Sequence, residues 1–572
     1  MTTLSRRTLL GAAAAGIAAP LMSRSALAAE VNAATKAFVD DYKSNITANL
    51  TADTNAAVRI LSGVQAYWQT GATWNTGTAL APAVLRANMR FCETRTASRT
   101  AAEGARAFVV DRQHQSYAVI AGLGPWAGAY RSAALAVTGI TEAPATTPPT
   151  TVSDAVPAGA PAGSALGAGS PTSALGAVVN LVNTVRGAWS SSNPSKFAVQ
   201  YPRPWRTTTD STVVDTGAVD EFGYPVYRSK VVVVPQLLRQ RSLVPADDGG
   251  FPSGHTNALH LAALAFAYAF PERFQELVTC AFDLADTRIT AGMHSPLDVV
   301  SGRILATALT AAILNDPANA ALKAAARAQA AGFLAANPGD GADAYADRAA
   351  NRGSVLPRLT YILPRTGRDQ PLTVPAGAEV LLETRHPYLT AAQRRAVLRT
   401  TALPAGYALL DGPEQWGRLD LFKAADGYGA FESDVDVTLD AIADVWRNDI
   451  TGPGGLTLRG TGTLTLTGAN RFRGAVRVLG GVLSAGSATA LGAGDVEVAG
   501  GTLRCRPRTS AGGTVTIGAD STLEIVADAP CGLVPVLTGK RVTGRFAKVI
   551  APGHRAEPVY TRTAVLARIS RA

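Results

Sequence analysis

The chain has 572 residues, too many for one ordinary hydrophobic core, so two to four domains are expected. Its hydrophobic fraction of 47% is largely alanine. No strongly apolar run of about 18 residues goes uninterrupted after the N-terminus, which argues against transmembrane helices; Tyr117–Ile140 comes nearest, and Arg131 breaks it. The formal charge of +10 points to anionic partners, while dense Lys/Arg runs interleaved with aromatics are lacking and no nucleic-acid-binding surface is indicated.

In chain order, "SRRTLLGAAAAGIAAPL" sets Arg6-Arg7 before a mild apolar run, and Ala26-Leu27-Ala28 offers small residues for cleavage. Residues 1–28 therefore read as a twin-arginine-type export signal that the mature protein lacks. Its removal takes three arginines and no acid, leaving +7. The protein is expected to be exported by the twin-arginine route, to the periplasm, the cell surface or the medium.

Residues 29–340 read as mainly α. Helical periodicity runs through 31–140, and a Pro/Ala/Gly/Ser/Thr-rich stretch at 141–177 reads as a flexible insertion. Helical patterning resumes at "VVNLVNTVRGAW" and again from Thr256 to about Ala335, with a break near Pro271. Residues 341–450 mix one helix signal with strand-like and turn-rich pieces, an accessory α+β segment. From Gly452, Leu464, Leu483, Leu503 and Leu523 recur every 19–20 residues in short Gly-flanked strands, and a second strand series ("AVRV", "DVEV", "GTVTI") interleaves with them. Such a period means one coil per repeat, so 451–572 is expected to be a small β-solenoid packed on what precedes it. The fold class is thus multi-domain: a helical bundle, an accessory segment and a C-terminal β-solenoid.

The stretch "GGLTLRGTGTLTLTGANRFRGAVRVLGGVLSAG" resembles the autotransporter-associated β-strand repeat of bacterial surface proteins. No translocating barrel is read after it, so the resemblance covers the passenger-type repeat alone; it implies contact with the cell envelope through the solenoid. Four cysteines, Cys92, Cys280, Cys505 and Cys531, allow three pairings. Export permits disulfides, and Cys505 with Cys531 is the most economical pair because both lie in the C-terminal module.

The helical half holds the unusual polar residues. "KFAVQYPRP" places Lys196 six residues before Arg203-Pro204; "PSGH" spans Pro252 to His255; "TRITAGMHSPLD" holds Arg288, His294 and Asp298. Singly, each reads as surface charge, a turn, or a helix-surface pair. Together they supply what phosphoryl transfer through a histidine needs. Charge spread over phosphoryl oxygens calls for fixed cations and backbone N–H groups, and each cation at about 4 Å contributes roughly 4 kcal/mol before desolvation. Ser253-Gly254 can lend N–H groups at a helix start. His294, one turn before Asp298, can be held with one nitrogen donating to the carboxylate and the other free as nucleophile. His255 can protonate the leaving oxygen.

This ordered set resembles the signature of the type-2 phosphatidic acid phosphatase superfamily, which also contains vanadium haloperoxidases. Every fixed position is matched except a leading Ser, where Thr287 stands. Over roughly 180–330 the chain is most similar to class A bacterial non-specific acid phosphatases. That resemblance implies a metal-independent α-helical acid phosphatase of broad specificity, acting on small phosphorylated substrates without a cofactor. It also implies a phosphohistidine at His294 oriented by Asp298, His255 as general acid, and phosphate bound by Lys196, Arg203, Ser253, Gly254 and Arg288. Mildly acidic pH should suit it, since His255 must carry a proton and His294 must not. Vanadate is expected as an inhibitor, or as the cofactor under the haloperoxidase alternative; a second alternative is a surface-binding protein in which the solenoid is the functional part. His260 reads as a packing residue, His114, His386 and His554 have no assigned partner, Asp247-Asp248 read as a solvated turn, and Trp205 either lines the pocket or packs.

Overall fold

Among residues 36–526 and 531–571, which this computed structural model describes, the helices that hold the motifs start where the sequence supplies a cap. The expected export signal lies outside the described residues. Helix α1 (Pro82–Ser98) opens on a proline, and α2 (Ala101–Arg112) on a capping box in which Thr100 and Glu103 bond each other's backbone N–H. After α3 (Gly176–Val185) and α4 (Asn193–Val199), Ser253 caps α5 (Gly254–Ala269) by accepting from Thr256 N. Phe270-Pro271 separates α5 from α6 (Phe274–Thr290), the break read in the sequence. Two further breaks follow. Met293 and His294 fold back so that both N–H groups donate to Arg288 O at 3.2 Å, and a Ser295–Asp298 capping box starts α7 (Pro296–Asn315); Asp316-Pro317 then ends α7 before α8 (Ala320–Ala336).

Helix α7 is the centre of the bundle. It is long and apolar enough to cross a bilayer, but it is buried from Pro296 to Leu314. Helices α5 and α7 cross closely at Gly302, where a Cβ would stand 2.7 Å from Ser253 O and 2.9 Å from Thr256 Cβ. That close approach sets the start of α5 against the first turns of α7, so two of the three motifs meet.

The 141–177 stretch has no helix or strand before Gly176, yet it is fastened down rather than loose. The Asp154 carboxylate accepts from Thr138 Oγ1, Gly139 N and His114 N at 2.8–3.0 Å, and Arg112 Nη1 donates to Val152 O. One acidic residue with several donors does this, which a reading of composition overlooks.

The accessory segment holds both helices and, from Val435, strands, and it packs on the bundle. Helix α9 (Arg348–Arg358) packs on α6, and the turns at Ala378–Leu382 and Pro413–Arg418 pack on α7. The helix signal is realised as Ala391–Thr401, opened by a Thr390–Gln393 capping box. The strand-like "LTVPAGAEVLLE" forms no strand; in this segment strands begin at Val435.

The solenoid begins there too, one coil before the expected boundary at 451. Two six-stranded parallel sheets stack coil on coil, one from Val435–Leu439 to Arg541–Gly544, the other from Ala443–Trp446 to Lys548–Ile550. Leu464, Leu483, Leu503 and Leu523 stand in register as one ladder through the core. In the first coil that ladder position is Asp444, paired with Leu464. Asp444 turns instead to the accessory segment, where Arg385 Nη2 (2.8 Å), His386 Nδ1 (3.2 Å) and Tyr388 Oη meet its carboxylate. Trp446, fully buried, donates from Nε1 to Tyr388 Oη at 2.8 Å. Without the leucine the coil does not look like a repeat. At the far end an antiparallel sheet of Gly532–Thr538, Ala564–Arg571 and His554–Tyr560 caps the stack.

All four cysteines are free, so the most economical pairing, Cys505 with Cys531, is not formed. Cys505 lies inside the solenoid, where strand alternation turns it inward, and Cys531 is at the surface.

Candidate active site

The eight motif residues come together where α4, the start of α5 and the α6–α7 turn converge. His294 is buried (1% exposed) and sits between two partners. Its Nε2 lies 2.9 Å from Arg203 Nη1, and its Nδ1 3.4 Å from Asp298 Oδ2. A guanidinium can only donate, so Nε2 carries a lone pair and the ring proton belongs on Nδ1, facing the carboxylate. Burial, with Arg203, Lys196 and Arg288 nearby, holds this histidine well below the usual imidazole range, so it is neutral.

Asp298 has two tasks. Its Oδ2 accepts from Ser295 N at 2.7 Å in the capping box of α7, and the same oxygen faces His294. Burial raises its pKa, and the Ser295 N–H opposes that rise. Gly250 lets the chain pass close by: a Cβ there would stand 3.0 Å from Asp298 Oδ2.

Three cations surround the imidazole. Lys196, on α4, donates from Nζ to Gly249 O at 2.6 Å, and burial and Arg203 lower its pKa. Arg203 is gripped by Asp248, with Nε at 3.0 Å and Nη2 at 2.5 Å from Oδ1. Asp248 also holds Arg206 at 3.0 Å. This corrects the solvated-turn reading: Asp248 is a half-buried brace, and although burial raises its pKa, Arg203 and Arg206 bring it below the ordinary carboxylate value. Arg288, fully buried on α6, pairs with Asp111 at the end of α2.

Ser253 and Gly254 divide the roles assigned to them jointly. The Ser253 N–H donates to Asp298 O at 2.9 Å and its hydroxyl caps α5, so both groups tie the motifs to each other. Gly254 is the one beside the cations. A Cβ on it would stand 3.1 Å from Ser192 Oγ and 3.9 Å from Lys196 Cε, so an unsubstituted backbone faces the lysine head at a helix start.

His255 directs Nε2 to the Asp111 carbonyl at 3.0 Å. Burial, and then Arg288, bring its pKa down to about 3, so in this state it is neutral. The carboxylate of Asp111 pairs with Arg288 and, at 2.5 Å, with Arg112 Nη2. Asp111 thus touches two motif residues while belonging to no motif. Its signal was a lone acid among the buried residues of α2, beside Phe108 and Val110.

The remaining residues stay outside. His260 packs edge-on against Phe282, centroids 4.9 Å apart. Trp205 is buried beneath Arg206, whose guanidinium lies 4.1 Å from its ring, so it packs. His386 belongs to the solenoid junction, and His114 lies 3.2–3.3 Å from Arg186.

Two parts of the chain are similar to known proteins. Residues 175–321 match the profile of the PAP2 superfamily, and residues 456–485 that of the passenger-associated-transport-repeat. An extracellular serine protease of Serratia marcescens is 31% identical over 145 residues, 19% of this chain and 14% of the protease. A non-specific acid phosphatase of Salmonella typhi is 38% identical over 71 residues, 12% of this chain and 28% of the phosphatase. A lipid A 1-phosphatase of Rhizobium etli is 40% identical over 52 residues, 9% and 22% respectively. The chain thus spans between 14% and 28% of these relatives' lengths. Residues 175–321, which hold every motif residue described above, form a PAP2-superfamily domain, in a chain whose C-terminal β-solenoid carries the passenger-associated repeat.

Proposed function

We propose that the protein is an exported acid phosphatase that hydrolyses phosphomonoesters with broad specificity, through a phosphohistidine on His294. The observation that carries the reading is the orientation of His294: lone pair on Nε2 beside Arg203, Nδ1 toward Asp298. The first step forms a bond from Nε2 to phosphorus and breaks the ester P–O bond, with His255 giving its proton to the leaving oxygen. In the second, water attacks phosphorus, His255 takes a water proton, the P–N bond breaks, and phosphate leaves. Lys196, Arg203 and Arg288 supply the positive charge that the equatorial oxygens require, so the chemistry needs no metal.

By itself His255 is neutral, because burial and Arg288 oppose its charge. A bound phosphate ester brings negative charge against the same arginine, which favours protonation of His255 once substrate is present. Broad specificity fits a cage whose named groups all address the phosphoryl group. Export agrees with the N-terminal signal read in the sequence and with the extracellular character named for the Serratia relative. Orthovanadate should occupy the same cage and inhibit.

Rapid quenching with a phosphate-labelled aryl ester tests the reading. An acid-labile, alkali-stable label on the chain is expected, lost in His294→Ala together with turnover. Full turnover by His294→Ala would end the proposal.

A further inference from the structure

The positive charge of the chain is gathered at one end. Formal net charge is +10 over 572 residues, and residues 531–571 alone hold eight Lys/Arg side chains against one carboxylate, Glu557, a net of +7. All eight cations are exposed, and among the described residues none forms an ion pair. In the preceding coils some arginines are neutralised: Arg477 pairs with Glu497, and Arg504 with Glu524.

The capping sheet places two of these cations, Arg555 and Arg568, on one face. In antiparallel strands, directly opposed residues share a face. Leu533, Arg568 and Glu557 form one row, Pro535, Leu566 and Val559 the next, and Arg555 lies opposite Ser570. The other face carries the buried Val565, Ala567 and Ile569. The outer face is therefore an apolar strip flanked by Arg555 and Arg568, with Glu557 its one acid and Leu533 at 54% exposure. Arg506 and Arg508 extend it along a groove of about 460 Å³ that Leu533 and Pro535 also line.

We propose that this outer face docks on the surface of an anionic lipid bilayer, with lipid phosphates on the arginines and Leu533 in the headgroup region. Cations flanking exposed apolar residues match such an interface, where charge attracts and apolar side chains enter. A nucleic acid would instead call for aromatic stacking platforms, and the Tyr560 ring is already covered by Arg545 at 5.1 Å. The attraction is that of solvent-exposed charges, so salt screens it over about 8 Å at physiological ionic strength.

Co-sedimentation of the full chain with vesicles tests this. Binding is expected to phosphatidylcholine vesicles containing about one third phosphatidylglycerol, not to pure phosphatidylcholine, and it should fall as salt rises. The pair Arg555→Glu and Arg568→Glu should weaken binding at least tenfold, and Leu533→Ser should weaken it less, with circular dichroism unchanged in both. Equal binding to neutral vesicles, or full binding by the charge-reversed chain, would overturn the proposal. Retention on duplex DNA or an acidic polysaccharide without vesicle binding would also overturn it.

Discussion

The backbone carbonyl of Asp111 lies 3.0 Å from His255 Nε2, while the carboxylate of the same residue pairs with Arg288. One residue outside the motifs thus positions two residues within them. Asp111 and Arg288 are 2% and 1% exposed, so removing the carboxylate leaves a buried, uncompensated guanidinium. Asp111→Ala is expected to cost about 3–5 kcal/mol of stability in urea unfolding and to lower turnover as Arg288 loses its anchor. Unchanged stability would remove Asp111 from this role.

The two tasks of Asp298 can be separated. Asp298→Asn can keep a cap on α7, but its amide can present N–H to His294 and favour the wrong tautomer. A loss in kcat of about 10³-fold or more is expected, with KM little changed. Ser295→Ala removes the reciprocal cap alone and should cost about 1 kcal/mol of stability while largely sparing kcat. Steady-state kinetics and thermal melts on both variants check the separation.

Acid should destabilise the fold well above the range where most carboxylates titrate. Burial depresses His255 and His260 to about 3, and burial with Arg186 brings His114 to about 4. The unfolded chain takes up these protons near pH 6.5 and the folded protein does not. Stability present above about pH 6.5 is therefore lost as pH falls toward 4, by about 1.4 kcal/mol per pH unit for each such group. Asp298, raised to about 6 by burial, opposes the trend, because the folded protein gains its proton first. The melting temperature should fall between pH 7 and pH 5, and His260→Leu, in the apolar contact with Phe282, should flatten that fall.

The junction between bundle and solenoid is expected to carry stability rather than act as a hinge. Trp446 is fully buried against Tyr428 and Phe431 and hydrogen-bonded to Tyr388. Trp446→Ala should cost about 3–5 kcal/mol. Truncation after residue 451 strips the strands Val435–Leu439 and Ala443–Trp446 of their parallel neighbours, so the shortened chain should be insoluble or unfolded. A soluble, active truncation would show that the solenoid is dispensable to the enzyme.

Much of this protein was written in short-range patterns. The spacing of Lys196, Arg203, the Pro252–His255 turn, Arg288, His294 and Asp298 identified the residues that converge, because each motif is a local device: a helix start, a turn, a capped i, i+4 pair. The leucine period identified the solenoid, because stacking coils must repeat the residue that fills their shared core. Tertiary structure decided the rest, wherever a residue's partner is distant in the chain. Asp111 meets Arg288 across 177 positions, which no local pattern encodes. Asp248 looked like a solvated turn until Arg203 and Arg206 closed on it. Asp444 hid the first coil by replacing a ladder leucine with a charge whose partners, Arg385, His386 and Tyr388, lie in the segment before it. Buried charges are stable only where opposite charge or hydrogen bonds meet them, and in this chain folding alone brings those partners together.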